Sequence, residues 1–172
     1  MLILRATAVE GVAPHDEEVA RTVIRGFDGS RLRRARTALR LSIPEVAREG
    51  GISPSTLRRW ESGASTPQVD TLAAVMAVLS TPIAEVVRVP PDERLISDWR
   101  TLAGLLQVDL ARELEVKEHV VNDLERGLLR NLPDDLARSL GHVLGITHAE
   151  VMRAWRRGRE RPAAASKVEK GR

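Results

Sequence analysis

The feature that most constrains this 172-residue chain is an internal repeat. Positions 36–63 align with positions 100–127 at an offset of 64 without a gap, and both stretches contain Ala-Arg-Glu and end in Glu-x-Gly. After a one-residue insertion, 79–86 matches 144–151. A repeat of about 60 residues has the size of one small structural unit, so the chain is predicted to fold as two similar units in tandem.

The apolar residues of both units recur with a helical period, which predicts five helices in each. Tyrosine is absent and there are only one Phe and three Trp, so the core must consist of Leu, Val, Ile and Ala. Such a core suits small helical modules better than a β-sandwich, whose strands favour aromatic residues. The predicted fold class is all-α. The predicted helices lie near 30–40, 43–49, 54–62, 68–79 and 83–88, and near 94–104, 107–113, 118–126, 134–144 and 148–157.

Composition along the chain indicates where the units end. Val89-Pro-Pro-Asp-Glu93 reads as a linker, because consecutive prolines stop helices and favour an extended path. The end of the chain is basic and rich in small residues, which is typical of a disordered tail. The predicted organisation is an N-terminal arm or helix (1–28), unit one (29–88), the linker (89–93), unit two (94–158) and a basic disordered tail (159–172).

Composition also excludes several classes of function. Without cysteine there are no disulfides, thiolate metal sites or thiol nucleophiles, and the four histidines are scattered. No phosphate-binding glycine loop and no nucleophile–base spacing occur, so we predict no enzyme, no cofactor, no metal and no small-molecule site. No apolar run approaches the ~18 residues of a membrane span, and the N-terminus does not resemble a signal peptide. A cytoplasmic protein is expected.

Positions 43–62 have the pattern of a helix-turn-helix. Ala47 is small where a second helix must cross closely, and Gly51 provides the positive φ that a short turn needs. The side chains that then fall on the inner faces of the two helices are Val46, Ile52, Leu57 and Trp60. Polar side chains remain on the outer face of the second helix, which can enter a major groove; they are Ser53, Ser55, Thr56, Arg58 and Arg59.

These residues resemble the Cro and lambda-repressor family of helix-turn-helix proteins, of the xenobiotic-response-element (XRE) type. In unit one the resemblance rests on Arg36, Leu41-Ser42, Val46-Ala47, Gly51-Ile52-Ser53, Glu61-Ser-Gly63, Pro67, Leu72 and Leu79, and in unit two on Arg100, Leu105, Gln107, Leu110-Ala111, Val116, Glu125-Arg-Gly127, Leu140 and Leu144-Gly-Ile146. It implies two tandem five-helix domains and a bacterial or phage transcription regulator. Repression is the family tendency, and the implied partner is double-stranded DNA at the nucleoid.

The resemblance also implies which residues would contact DNA. The start of the third helix faces base edges, and Arg59 is the leading candidate because its donor fork matches the two acceptors of guanine. The implied set is Ser53, Pro54, Ser55, Thr56, Arg58, Arg59 and Arg40 in unit one, and Gln107, Lys117, His119 and Asn122 in unit two. Two ion pairs, Arg36–Glu61 and Arg100–Glu125, are expected to hold the third helix of each unit at a fixed angle.

Unit two is less suited to DNA. Leu106 and Lys117 replace both capping serines, Glu115 replaces the turn glycine, and Glu118 and Asp123 would face phosphates. Two roles for unit two stay open: a second DNA contact, or packing and dimerisation. Pairing of two chains through the N-terminal arm or unit two also stays open. The alternative function for the whole chain is a protein-interaction module, such as an antitoxin or an adaptor.

Overall fold

The computed structural model describes residues 24–161. That part of the chain contains nine α-helices and no named strand, so the predicted all-α class is confirmed. The predicted arm up to residue 23 and the tail from 162 lie outside the described residues. The helices are α1 (Gly29–Ala38), α2 (Ile43–Glu49), α3 (Pro54–Glu61), α4 (Val69–Val78), α5 (Ile96–Leu102), α6 (Gln107–Glu113), α7 (Glu118–Glu125), α8 (Asp134–Leu144) and α9 (His148–Glu160).

The first three helices of unit one each begin at a side-chain cap. The Asp28 carboxylate accepts hydrogen bonds from two backbone N–H groups of α1, and Ser53 caps α3. Ser42 and Glu45 form a reciprocal capping box at α2. The four helices enclose an aliphatic core whose central side chains are fully buried, among them Leu32, Val46, Leu57, Leu72 and Val75.

The predicted fifth helix of unit one is wrong, because Ile83–Glu85 forms only a single 3₁₀ turn. After that turn the chain pairs with the segment preceding α1: the Asp28 N–H donates to the Val86 carbonyl and the Arg88 N–H to the Gly26 carbonyl, both at 2.8 Å. Val87 is buried and forms an isolated antiparallel bridge with Phe27, which suits a β-branched residue. Ile24 joins the same core, so residues 24–28 pack as part of unit one.

Unit two repeats the helix order of unit one. α6 and α7 start 64 residues after α2 and α3, and α8 starts 65 residues after α4. α9 extends over 13 residues at the place where unit one has its 3₁₀ turn. The core of unit two is again aliphatic, with Trp155 of α9 as its buried aromatic residue.

The segment predicted as an extended linker is short and anchored at both ends. Pro91–Glu93 forms one 3₁₀ turn, and the apolar side chains on either side of it, Val89 and Leu95, are both buried. The connection is therefore part of the packed structure.

Candidate nucleic-acid interface

The turn between α2 and α3 has the geometry expected of a helix-turn-helix. Ala47 is fully buried, and the Ile52 N–H donates to its carbonyl at 2.9 Å. Gly51 has a φ of +69°, the left-handed conformation that favours glycine. Gly50 was missed by the sequence analysis: a Cβ there would lie 2.8 Å from Cγ2 of Val75 in α4. The turn therefore needs two glycines, one for its φ and one for close packing.

The face of α3 opposite the core is open to solvent. Leu57 and Trp60 are buried, whereas the residues of the predicted DNA surface point outward. Because buried and outward positions alternate with the helical period, one face of α3 holds the helix while the other is available to a partner. The exposed residues are Ser53, Pro54, Ser55, Arg58 and Arg59, and Thr56 is half-buried.

A small hydroxyl cluster organises the start of α3. The Ser53 hydroxyl accepts a hydrogen bond from the Thr56 N–H at 3.1 Å. It also lies 2.8 Å from the hydroxyls of both Ser55 and Thr56. Ser53 is thus occupied as the cap, and it fixes the positions of two hydroxyl groups that lie on or beside the exposed face.

The angle of α3 is held by a buried ion pair. Nε and Nη2 of Arg36 donate to the two carboxylate oxygens of Glu61 at 2.6 and 2.9 Å, and Nη1 donates to the Leu41 carbonyl at 2.7 Å. The hydrogen bond to Glu61 raises the pKa of the Arg36 guanidinium. One side chain therefore ties α1 to the end of α3 and to the segment leading into α2.

Unit two contains the same pair with one more donor. Arg100 donates to Glu125 at 2.6 and 3.1 Å and to the Leu105 carbonyl at 2.7 Å. The amide nitrogen of Gln107 donates to Glu125 at 2.7 Å. Gln107, a predicted DNA contact, thus directs its amide nitrogen into the protein. Unit one has Ile43 at the equivalent position and lacks this third partner.

The surface of unit two that corresponds to the predicted DNA surface of unit one differs from it in charge. The positions equivalent to Arg40, Arg58 and Arg59 are Gly104, Asn122 and Asp123, and Pro54 becomes Glu118. Across these four pairs, the formal charge is +3 in unit one and −2 in unit two. The other predicted contacts, Lys117 and His119, are exposed, and Asn122 is half-buried.

The turn between α6 and α7 of unit two also lacks local support. Lys117 provides no side-chain hydrogen bond at the start of α7, and Glu115 occupies the turn with a φ of +55°. At α6 the Asp109 carboxylate still accepts the Leu106 N–H at 3.1 Å, so half of a capping box remains.

Two large apolar side chains of unit two that sequence reasoning missed are exposed to solvent. Val108 is 43% exposed and follows Gln107, and Leu128 is 54% exposed, three residues beyond Glu125. Unit one has Pro44 and Ala64 at these positions. Comparing the two repeats position by position would have shown the substitutions. At these two positions unit two exposes larger apolar side chains than unit one has.

Among residues 24–161, no three His, Asp or Glu side chains gather in a way that could hold a metal ion. None of the helices described there has both the length and the apolar character that crossing a bilayer requires.

Comparison with known proteins adds one match. A family model described as Helix-turn-helix matches residues 32–86, which run from α1 to the end of the 3₁₀ turn. The match indicates a DNA-binding regulatory domain of the Cro/C1 type in unit one, as the resemblance implied. It does not extend to unit two. No curated protein and no solved structure matches the chain.

Proposed function

We propose that the chain is a sequence-specific DNA-binding transcription regulator, a repressor, that inserts α3 into the major groove of double-stranded DNA. The observation that supports this most is the arrangement of α3. Leu57 and Trp60 are buried on one side, Ser55 and Arg59 are exposed on the other, and Glu61 anchors the end of the helix. A helix held this way presents fixed side chains to base edges.

The exposed groups divide into two kinds of contact. Arg59 lies one turn after Ser55, and its donor fork suits a guanine, a contact worth about 1–3 kcal/mol of discrimination. Arg58 and Arg40 are exposed and suit phosphate oxygens, which position the protein without reading sequence. Ser55 and Thr56 offer hydroxyls whose positions are fixed by Ser53.

Unit two, residues 94–158, forms in this proposal a second and divergent copy of the same domain. Its repeated helix order and its Arg100–Glu125 pair support common descent with unit one. Its outer face carries Glu118 and Asp123, which disfavour an approach to phosphates. Unit two therefore has a supporting structural role for unit one, which recognises the bases. Its own outer residues Lys117, His119 and Asn122 contribute little to base recognition.

Repression follows if the bound chain covers a promoter and excludes the polymerase. A protein that reads duplex DNA acts where the chromosome lies, so we place it at the nucleoid in the cytoplasm of a bacterium or a phage-infected cell. Pairing of two chains through the N-terminal arm or unit two remains part of the proposal.

Selection of bound sequences from random duplex DNA tests this function. The parent chain should enrich a defined motif, Arg59→Ala should lose preference at one base position, and Asn122→Ala should keep the full motif. The logarithm of affinity should fall linearly with the logarithm of salt concentration, because phosphate contacts release counterions. Failure of the parent chain to enrich any motif would contradict the proposal.

The second candidate function is a protein-interaction module, an antitoxin or an adaptor. The exposure of Val108 and Leu128 favours it, because large apolar side chains left open to solvent are available for contact with a protein partner. An adaptor would show no retention on DNA at low salt. Retention of the chain on DNA, with an affinity that falls steeply as salt rises, would favour the DNA-binding regulator over the adaptor.

A further inference from the structure

The two units are joined by apolar packing as well as by the chain. Leu102 and Leu106 of unit two pack against the core of unit one. Between them Gly104 has a φ of +72°, and a Cβ there would lie 3.2 Å from Cβ of Ala73 and 3.4 Å from Cδ1 of Ile83. The segment between α5 and α6 therefore sits directly on α4 and the 3₁₀ turn of unit one.

In addition to this apolar packing, the buried carboxylate of Asp98 makes polar contacts between the two units. Arg25 donates to both oxygens of Asp98, at 2.7 and 3.3 Å, and to the Glu93 carbonyl at 2.9 Å. Asp98 also accepts the Leu95 N–H at 2.8 Å, and its side chain is only 9% exposed. One carboxylate thus joins the segment before α1, the connection between the units and α5.

The connection itself is held by two further arginines. Arg94 donates to the Val89 carbonyl at 3.0 Å, and its guanidinium lies 4.4 Å from the centre of the Trp99 ring. Arg157 of α9 donates twice to the Arg94 carbonyl, at 3.0 and 2.8 Å. A connection with these contacts on both sides has little freedom to rotate.

We infer that units one and two form a single rigid body, and that Asp98 and Gly104 are the residues that fix their relative position. Where the chain binds DNA, an extension that rests on the proposed function, any contact made by unit two falls at one fixed distance from the site read by α3. The packing of Gly104 against Ala73 and Ile83 cannot form with the two units exchanged. The residue equivalent to Gly104 in unit one is Arg40, and those equivalent to Ala73 and Ile83 in unit two are Arg138 and His148, which cannot pack in the same way.

The absence of cysteine makes a direct test simple. Ala77→Cys in α4 and His142→Cys in α8 place spin labels at equivalent exposed positions of the full chain. Pulsed electron resonance should give one narrow distance distribution. Asp98→Ala and Gly104→Arg should each broaden it, with helix content unchanged by circular dichroism, and Asp92→Ala, an exposed acid in the same connection, should not.

A broad distribution in the doubly labelled parent would overturn the rigid body. A narrow distribution that survives both Asp98→Ala and Gly104→Arg would overturn the role of these residues. If one variant fails to fold, the other decides. The distance should also stay the same when the chain is saturated with a selected duplex, and a shifted distance would contradict rigidity. If no duplex is selected, the proposed function fails while the result for the free chain still stands.

Discussion

Units one and two share the order of their first four helices and the same buried ion pair, yet equivalent positions on their outer surfaces carry opposite charge. Both place an arginine between the end of the third helix and the segment leading into the second. On the outside, Arg59 in unit one corresponds to Asp123 in unit two. The core and the ion pair therefore fix how the helices of each unit are placed. The exposed residues of the third helix determine which partner that arrangement can bind.

The two buried ion pairs differ in exposure and in the number of their hydrogen-bond partners. The Arg100 side chain is 2% exposed, and its partner Glu125 also accepts a hydrogen bond from Gln107. The Arg36 side chain is 10% exposed, and Ile43, at the position equivalent to Gln107, offers no such bond to Glu61. The ion pair of unit two therefore has more partners and is less exposed, whereas the outer surface of unit two is less suited to phosphates.

The largest expected effect comes from breaking these pairs. Glu125→Ala should cost about 3–5 kcal/mol of unfolding free energy, because Arg100 is left as a buried, unpaired charge. Glu61→Ala should cost somewhat less, about 3 kcal/mol, because Arg36 can reach water more easily. Chemical denaturation measures both, with exposed Glu113→Ala as the control. Equal losses in Glu125→Ala and the control would show that the pair does not hold unit two.

The turn of unit two offers a gain in stability. Glu115→Gly should stabilise the chain by up to about 1–2 kcal/mol, because a side chain in the left-handed conformation is strained. Thermal unfolding reads this as a higher melting temperature. Gly51→Ala should have the opposite effect at the equivalent position of unit one. A lower melting temperature in Glu115→Gly would mean that the Glu115 side chain contributes a contact that outweighs its strain.

Capping gives the next smaller difference. Lys117→Ser should stabilise α7 by about 1 kcal/mol, since it supplies the side-chain acceptor that this helix lacks. Ser53→Ala should destabilise α3 by a similar amount, about 1 kcal/mol, and disorder the hydroxyls of Ser55 and Thr56. Denaturation curves of the two variants should shift in opposite directions. Shifts in the same direction would contradict the difference in capping.

Acid should reveal the smallest effect. Hydrogen bonds from Ser42, first from its side chain and then from its backbone N–H, hold the pKa of Glu45 below its ordinary value. The resulting stabilisation of α2 is present above the ordinary pKa of glutamate, about 4.3, and is lost as pH falls through the lower folded value. A carboxyl titration by NMR should show the pKa of Glu45 rising towards normal in Ser42→Ala. An unchanged pKa of Glu45 in Ser42→Ala would contradict the capping box as the cause of the lowered pKa.

Local sequence signals predicted much of the fold and left specific parts out. The bounds of α2, α6 and α8 could be predicted because capping residues, prolines and the repeat act within a few positions. The fifth helix of unit one could not, since its extended replacement depends on pairing between Phe27 and Val87, far apart in sequence. Arg25–Asp98 was missed for the same reason.

The candidate site was predicted in its positions more than in its interactions. The outward placement of Ser55 and Arg59 follows from the helical period alone. The inward hydrogen bond of Gln107 and the tight packing of Gly50 against Val75 depend on how neighbouring helices meet, which a single sequence does not display.

The assignment of base reading to α3, and not to α7, is tested most directly by exchanging charge at the equivalent positions 59 and 123. Affinity for the selected duplex would be measured at one fixed salt concentration for Arg59→Asp and Asp123→Arg. Arg59→Asp should weaken binding at least a hundredfold, from the lost guanine contact together with repulsion from phosphates, an effect on the order of 3 kcal/mol. Asp123→Arg should change affinity no more than a few-fold and leave the selected motif intact. A loss of binding or a changed motif in Asp123→Arg, with Arg59→Asp unaffected, would contradict the account.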